Sequence, residues 1–462
     1  MSEPPVRHDT RAMTTRRRMA DPLTREPRIV IVGSGFAGYH AARALARLVH
    51  GAAQVSLVSS TDYFLYLPLL PEVATAILDP RRVTVPLAAT LPGVSCVLSE
   101  VSGVDVEQRR IAMRTPEGRA VEFGYDRLVI AVGSVNRLLP IPGVPRIAHG
   151  FRGIPEALYL RDHVTRQIEL AELAEDPTER AARCTFVVVG AGYTGTELAA
   201  QGPLFTAALV RARPALHDQP IRWLLLDTAS RVLPGLDPRL GRTADQVLRR
   251  RGVEIGVRTS ITEATDDAVR LTNGQLVPTR SLIWCVGVRP DPLVDDIGLP
   301  TRQGRLVVDE YLTVPGHPEL FACGDAAAVP DPARPGELAA MTAQHAQRQG
   351  RLAARNVAAT LGRGTRAPYR HRDLGFAVDL GGTQAAANPV GIPLSGPLAK
   401  VVSRGYHLAA IPANRLRIAI DWALDAVLPR QCVQLGLVRS GAVPLDSAAP
   451  ELPITPASHG TS

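Results

Sequence analysis

The sequence predicts an α/β fold: two Rossmann-like dinucleotide-binding units, the second inserted into a discontinuous first, plus a small C-terminal α+β region. Two observations carry this. A GxGxxG motif occurs twice, each time directly after a short apolar run and before a helical pattern. A Gly–Asp turn then appears far downstream in LFACGDAA, where the first unit resumes.

The first unit opens with the strand-like RIVIV and the turn carrying Gly33, Gly35, Phe36, Ala37 and Gly38. In such a turn the first glycine permits the sharp bend and the second lets the backbone approach a pyrophosphate. The third lets helix and strand pack closely, and the phosphates meet free N–H groups at the helix start. The second unit repeats this in TFVVVGAGYTGTELAAQ, with Gly190, Gly192, Tyr193, Thr194 and Gly195. Each unit should carry an acid at the end of its second strand to bind a ribose. WLLLD supplies Asp227; VSLVSS supplies only Ser59, expected to serve as a neutral partner. YDRLVIAVGS and SLIWCVGVRP are strands entering small-residue turns at Ala131, Gly133 and Gly287, and Gly324–Asp325 closes the set.

This order divides the chain into a basic disordered arm (1–26), a first unit in two parts (27–150 and 309–365), an inserted second unit (151–308), a C-terminal region (366–441) and a disordered tail (442–462). No apolar run is long enough to span a membrane. The net charge of +8 admits nucleic acid, an anionic membrane or an acidic cofactor as partner. Nucleic acid ranks last, because basic and aromatic residues do not interleave; no metal-ligand pattern appears. The five cysteines are scattered, without CxxC, which points to a reducing compartment and hence to the cytoplasm. Cys323 abuts the Gly–Asp turn and reads as a small buried filler.

Together VGSGFAG, AVGS, VGAGYTGTELA, WCVGVRP and LFACGDAA resemble the pyridine nucleotide–disulfide reductase superfamily of flavoproteins over residues 28–360. The resemblance implies that Gly33, Gly35, Gly38 and Asp325 hold FAD, while Gly190, Gly192, Gly195 and Asp227 hold NADH. The Asp227 charge favours NADH over NADPH, although Arg222 and Arg231 lie close in sequence. The positions of the superfamily's active thiols hold no cysteine here. TDYFLYLPLLPEVA is instead similar to the signature of type II NADH:quinone oxidoreductases, as is MTAQHAQRQG after the Gly–Asp turn.

That family resemblance implies hydride transfer from NADH to FAD and two electrons onward to a membrane quinone, without proton pumping. It places Glu197 near the nicotinamide; by position alone Glu197 is equally a helix-start acid. A helix starting near Ala340 would aim its positive end at the flavin. Gln344 is expected at the quinone, with Gln347 and Gln349 behind it; His345 and Arg348 depart from the family pattern. Lys400 reads either as a donor to quinone or as a surface or lipid-facing lysine.

Residues 414–428 read as an amphipathic helix capped by Asn414. Its polar stripe is Arg417, Asp421 and Asp425, and its apolar surface is Leu416, Ile420, Trp422, Leu424 and Val427. It is expected to dock on an anionic bilayer, peripherally on the inner face of the cell membrane and helped by Arg404, Arg415 and Arg430, or else to pack on the protein's own core or a homodimer mate. Two other readings stay open: a soluble NADH-dependent ferredoxin or rubredoxin reductase, and a flavin-binding redox sensor with little turnover.

Overall fold

The computed structural model describes residues 25–371 and 375–445. The expected arm lies outside the described residues up to position 24; Arg25 pairs with Asp126 at 3.1 Å.

The first part of the chain supplies β1 (Arg28–Val32), α1 (Phe36–Leu48), β2 (Gln54–Ser59), α2 (Leu70–Ala74), β3 (Ser95–Leu98), β4 (Arg127–Ile130) and β5 (Ser134–Asn136). The inserted part supplies α3 (Ile154–Leu173), β6 (Thr185–Val189), α4 (Tyr193–Val210), β7 (Arg222–Asp227), β8 (Val253–Val257), β9 (Ser281–Trp284) and β10 (Val288–Pro290). The chain then returns with β11 (Thr313–Val314), β12 (His317–Ala322) and α5 (Ala343–Thr360). It ends with β13 (Ala377–Asp379), β14 (Ala385–Ala387), β15 (Leu394–Ser395), α6 (Gly396–Ala410) and α7 (Arg415–Val427).

The first sheet runs β11-β12-β4-β1-β2-β3, so strands before and after the insertion share one sheet. The inserted unit has its own parallel sheet, β8-β7-β6-β9, and β5 pairs antiparallel with β10 as a ribbon between the units. Strands β1 and β6 are almost wholly apolar because helices cover both faces of a parallel sheet. The small α+β region is the meander β13-β14-β15 with α6 and α7.

Two glycines show why the helices sit so close to the nucleotide turns. A Cβ on Gly38 would lie 1.8 Å from the Gly33 carbonyl oxygen. A Cβ on Gly350 would lie 2.1 Å from that of Ala37, so α5 crosses α1 backbone to backbone and is held against the first glycine turn.

Two expectations about the C-terminal part fail. Residues 442–445 are ordered: Val443 and Leu445 are buried, because the Leu445 side chain fills a gap in the apolar core beneath the inserted sheet. The rest of the expected tail lies outside the described residues. Asn414 does not cap α7; its backbone is left-handed, at φ 65°, and its amide donates to the carbonyls of Arg81, Arg82 and Thr84.

Candidate functional site

One cavity of roughly 710 Å³ runs along the C-terminal ends of the first sheet, between the two units, and opens beside α6. At one end it is a cradle of Gly33, Gly35, Phe36, Ala37, Ser59, Ala131, Gly133, Gly324 and Asp325. Gly38 packs behind that wall. A Cβ at Gly35 or at Gly192 would meet nothing within 4 Å, so both turns leave open space where a pyrophosphate approaches. Ser59 is buried and donates to Ser34 Oγ at 2.7 Å, while Ser34 donates to the Tyr63 carbonyl. The ribose position of the first unit is thus a hydroxyl network in place of a carboxylate.

Asp325 accepts a hydrogen bond from Ser134 Oγ at 2.8 Å. Burial pushes its carboxyl above the usual range, against the pull of Ser134 and the nearby Arg305. Arg152 also lines the cavity and donates to the Ser134 carbonyl at 2.8 Å. Ser134 and Arg152 were not foreseen. Ser134 ends the quoted AVGS turn, so its position was readable; Arg152 carries no local signal.

In the second unit, Tyr193, Thr194 and Glu197 from the start of α4 line the cavity. Gly190, Gly192, Gly195, Asp227 and Gly287 lie outside its wall, at the mouth of the inserted sheet. Asp227 Oδ2 accepts the Ala191 N–H at 2.6 Å and Oδ1 the Ala229 N–H at 2.7 Å, so this carboxylate also braces the second glycine turn. Arg222 pairs with Glu254, and Arg231 donates to the carbonyls of Leu233, Pro234 and Leu236. Neither arginine is paired to Asp227, whose negative charge therefore favours a ribose hydroxyl over a phosphate.

Helix α5 begins at Ala343, capped by Thr342 Oγ1, with Met341 to Gln344 and Ala346 on the cavity wall. Gln344 Nε2 donates to the Gly375 carbonyl at 2.7 Å, and its Oε1 is buried without a hydrogen-bond partner. The expectation of an amide cluster needs correction. Gln347 does not line the cavity. Gln349 is buried and accepts the Gly324 N–H on Oε1 at 2.8 Å, so it braces the Gly–Asp turn; three residues further along α5 than Ala346, it faces that turn and not the cavity. His345 Nδ1 meets Tyr369 Oη at 2.6 Å and its ring stacks on His371, to which Arg348 donates at 2.8 Å. These two residues tie α5 to the segment around 370.

Lys400 is neither at the surface nor on the cavity wall. It is buried and donates to both Asp379 oxygens, 2.6 Å to Oδ1, with Glu72 Oε1 3.9 Å away. A buried ammonium requires such a partner, and α6 crossing the meander supplies it. Glu72 Oε2 accepts the Trp422 Nε1–H at 2.5 Å, and Glu197 Oε1 accepts the Asp379 N–H at 2.9 Å. Two buried carboxylates, Asp379 and Glu72, thus share one ammonium, and the half-buried Glu197 is tied to them through the Asp379 backbone. Lys400 and Asp379 form a neutral pair, and the two further negative charges are expensive. Burial, reinforced by Asp379, raises Glu197 well above its ordinary value and Glu72 to about 7. His407 beside them is lowered to about 4 by burial; its Nδ1 lies 3.1 Å from Tyr66 Oη.

The thiols stand apart from this chemistry. No cysteine lines the cavity among the described residues, and burial pushes Cys323 and Cys285 up to about 12. Cys323 is the expected filler.

The pyridine nucleotide-disulphide oxidoreductase family matches residues 27–350, which take in both glycine turns, Asp325 and the start of α5. The chain belongs to this family, in its type II NADH:quinone oxidoreductase branch. It is 33% identical over 317 residues to the type II NADH:quinone oxidoreductase NdhA of Mycobacterium tuberculosis, covering 66% of this chain and 67% of that one. Against Ndh of the same organism the identity is 29% over 425 residues, 88% of this chain and 89% of the relative. The fold is similar to that of NDH2 from Plasmodium falciparum in complex with NADH, with a TM-score of 0.81 and 18% identity over 88% of this chain and all of that one.

Proposed function

We propose that this chain is an FAD enzyme that oxidises NADH and passes two electrons to a quinone, without pumping protons, as a peripheral protein of an anionic membrane. The observation that carries the acceptor assignment is the far end of the cavity. There Gln344, whose Oε1 is buried without a hydrogen-bond partner, shares the cavity wall with Phe376, Pro389, Val402 and Tyr406. A largely apolar pocket with a few polar side chains, Gln344, Ser403 and His407, suits a flat, neutral, oxygen-bearing ring. With the Gln344 amide oriented by Gly375, its free acceptor best fits a ligand O–H, as a quinol carries.

Bound FAD supplies the two-electron relay between nicotinamide and quinone. The Ser134–Asp325 pair and the first glycine turn would hold it, and the N-terminus of α5 would stabilise negative charge on its ring. NADH brings one hydride, and forming a quinol consumes one further proton. Glu197, on the cavity wall with its carboxyl raised well above the ordinary value by desolvation, is placed to hold that proton.

The surface of α7 supports membrane attachment. The two acids of its polar stripe face inward: Asp421 pairs with Arg82 and Asp425 with Arg430, both at 2.8 Å. Leu416, Ile420, Leu424 and Val427 are left exposed, while Trp422 is buried. Of the three arginines expected at the bilayer, Arg404 stacks on Trp422 and Arg430 is paired, so Arg415 remains, joined by the exposed Arg417. An outward apolar face does not suit a soluble ferredoxin reductase. No helix among the described residues is long and apolar enough to cross a membrane. Flotation with phospholipid vesicles, with and without residues 411–445, tests attachment; equal flotation of the two forms contradicts the role of α7.

A further inference from the structure

The segment after α7 has two faces. Val433, Leu435 and Leu437 alternate along residues 431–438, and all three side chains are exposed, Leu437 at 68%. Their neighbours point inward. Gln434 bonds to Glu169 and accepts from Arg166 at 3.2 Å, and the Gly436 N–H donates to Asp162 Oδ2 at 2.7 Å. Asp162, Arg166 and Glu169 lie at i, i+4 and i+7, one face of α3. Beyond this grip the chain ends in an anchor. Leu445 is buried against the inserted sheet, and its carbonyl accepts from Asn136 Nδ2 at 3.3 Å. Asn136 belongs to the ribbon between the units.

Helix α3 packs on both α2 and α4. Those helices carry Glu72 and Glu197, so the inner face of the segment bears, through one helix, on the carboxylates of the site. The outer face follows directly in sequence on the exposed apolar residues at the end of α7, Val427 and Leu428 among them. Between positions 396 and 445 the acids are Asp421 and Asp425, both paired, whereas Arg415, Arg417 and Arg439 are exposed. An apolar strip beside exposed arginines that carry no carboxylate partner, with its two acids already paired, matches an anionic bilayer.

We propose that residues 429–445 are a strap that carries bilayer contact into the nicotinamide half of the enzyme: lipid seats its outer face, and its inner face then fastens α3 and the ribbon between the units. This rests on the membrane attachment proposed above. Lipid binding would favour the arrangement in which nicotinamide and flavin sites are correctly apposed, a population shift coupling two separate sites.

The test uses full-length holoenzyme and vesicles of phosphatidylcholine containing phosphatidylglycerol. The readout is anaerobic bleaching of the bound flavin by NADH, with no quinone present. Vesicles are expected to accelerate bleaching at least about fivefold, the lower end of typical coupling between sites. Asp162→Ala should float with the vesicles like the wild type yet lose the acceleration, and Asp162→Asn, which keeps an acceptor for the Gly436 N–H, should retain it. Leu435→Asp with Leu437→Asp should also lose it, which covers the case of a poorly folded Asp162→Ala. Flotation of the wild type without acceleration overturns the strap and leaves membrane attachment standing. Absence of flotation overturns both. Acceleration that follows protein concentration without vesicles assigns the strip to a second copy of the chain and overturns the lipid proposal.

Discussion

Gln344, on the cavity wall, and Gly375 are joined by a 2.7 Å hydrogen bond that fixes the side-chain amide and leaves Oε1 buried without a hydrogen-bond partner. A buried polar atom left unsatisfied costs about 1–3 kcal/mol, so a ligand that satisfies it gains a comparable amount. Gln344→Leu is therefore expected to weaken quinol binding, raising the quinol product-inhibition constant by about tenfold or more. Flavin bleaching by NADH should stay unchanged in stopped flow. If bleaching falls, Gln344 belongs to the cofactor site.

Glu197 is a half-buried acid on the cavity wall beside Tyr193 and Thr194, and its Oε1 accepts the Asp379 N–H. Glu197→Gln keeps an acceptor and removes the proton. Quinone turnover should drop by about 10²-fold, the usual weight of a positioned proton donor. The wild type should lose activity at alkaline pH as this raised carboxyl ionises, and the variant should show no such limb. A variant with the wild-type pH profile contradicts the proton role.

Glu72 predicts a pH dependence of stability. Its folded value is raised to about 7 from 4.5, chiefly by burial. An acid raised on folding contributes its full share below the unfolded value and loses it as pH rises through the folded value. The holoenzyme should thus lose stability between about pH 4.5 and 7, by at most on the order of 3 kcal/mol from this group. Glu72→Gln should flatten the curve and melt higher than the wild type at pH 8. Parallel melting curves for the two proteins would rule the effect out.

Asp227 has two duties, bracing the Ala191 turn and meeting a ribose. Asp227→Ala should raise NADH KM about tenfold or more, and the lost backbone bonds should cost about 1–3 kcal/mol of stability. Asp227→Asn keeps an acceptor for one N–H while removing the charge, so it should narrow the preference for NADH over NADPH. Unchanged NADH affinity in both variants would dismiss the ribose role.

Much of the fold was legible because it is written in local periodicity. Both glycine turns, the inserted order and the helix after Gly324–Asp325 follow from segments a few residues long. The buried charge cluster was not legible. Trp422 and Glu72 are 350 positions apart, and Lys400 alone looks like any lysine with an apolar stem. A charge pattern does not say which charges will meet. Helix α7 shows a second limit: periodicity identified two faces but not which one packs. Arg82 lies far away in sequence and Arg430 on the following loop; together they turned the polar stripe inward. Gln349 failed for a related reason, because an amide near a cofactor serves equally to brace a backbone turn.

The acceptor is the central claim, and the most direct test is steady-state NADH oxidation by the purified yellow holoenzyme with a soluble quinone or with a ferredoxin as acceptor. The account predicts kcat/KM for the quinone above that for the ferredoxin by about two orders of magnitude or more, the discrimination expected when one ligand fits a largely apolar pocket and the other cannot enter it. Equal rates, or faster reduction of the ferredoxin, would contradict it.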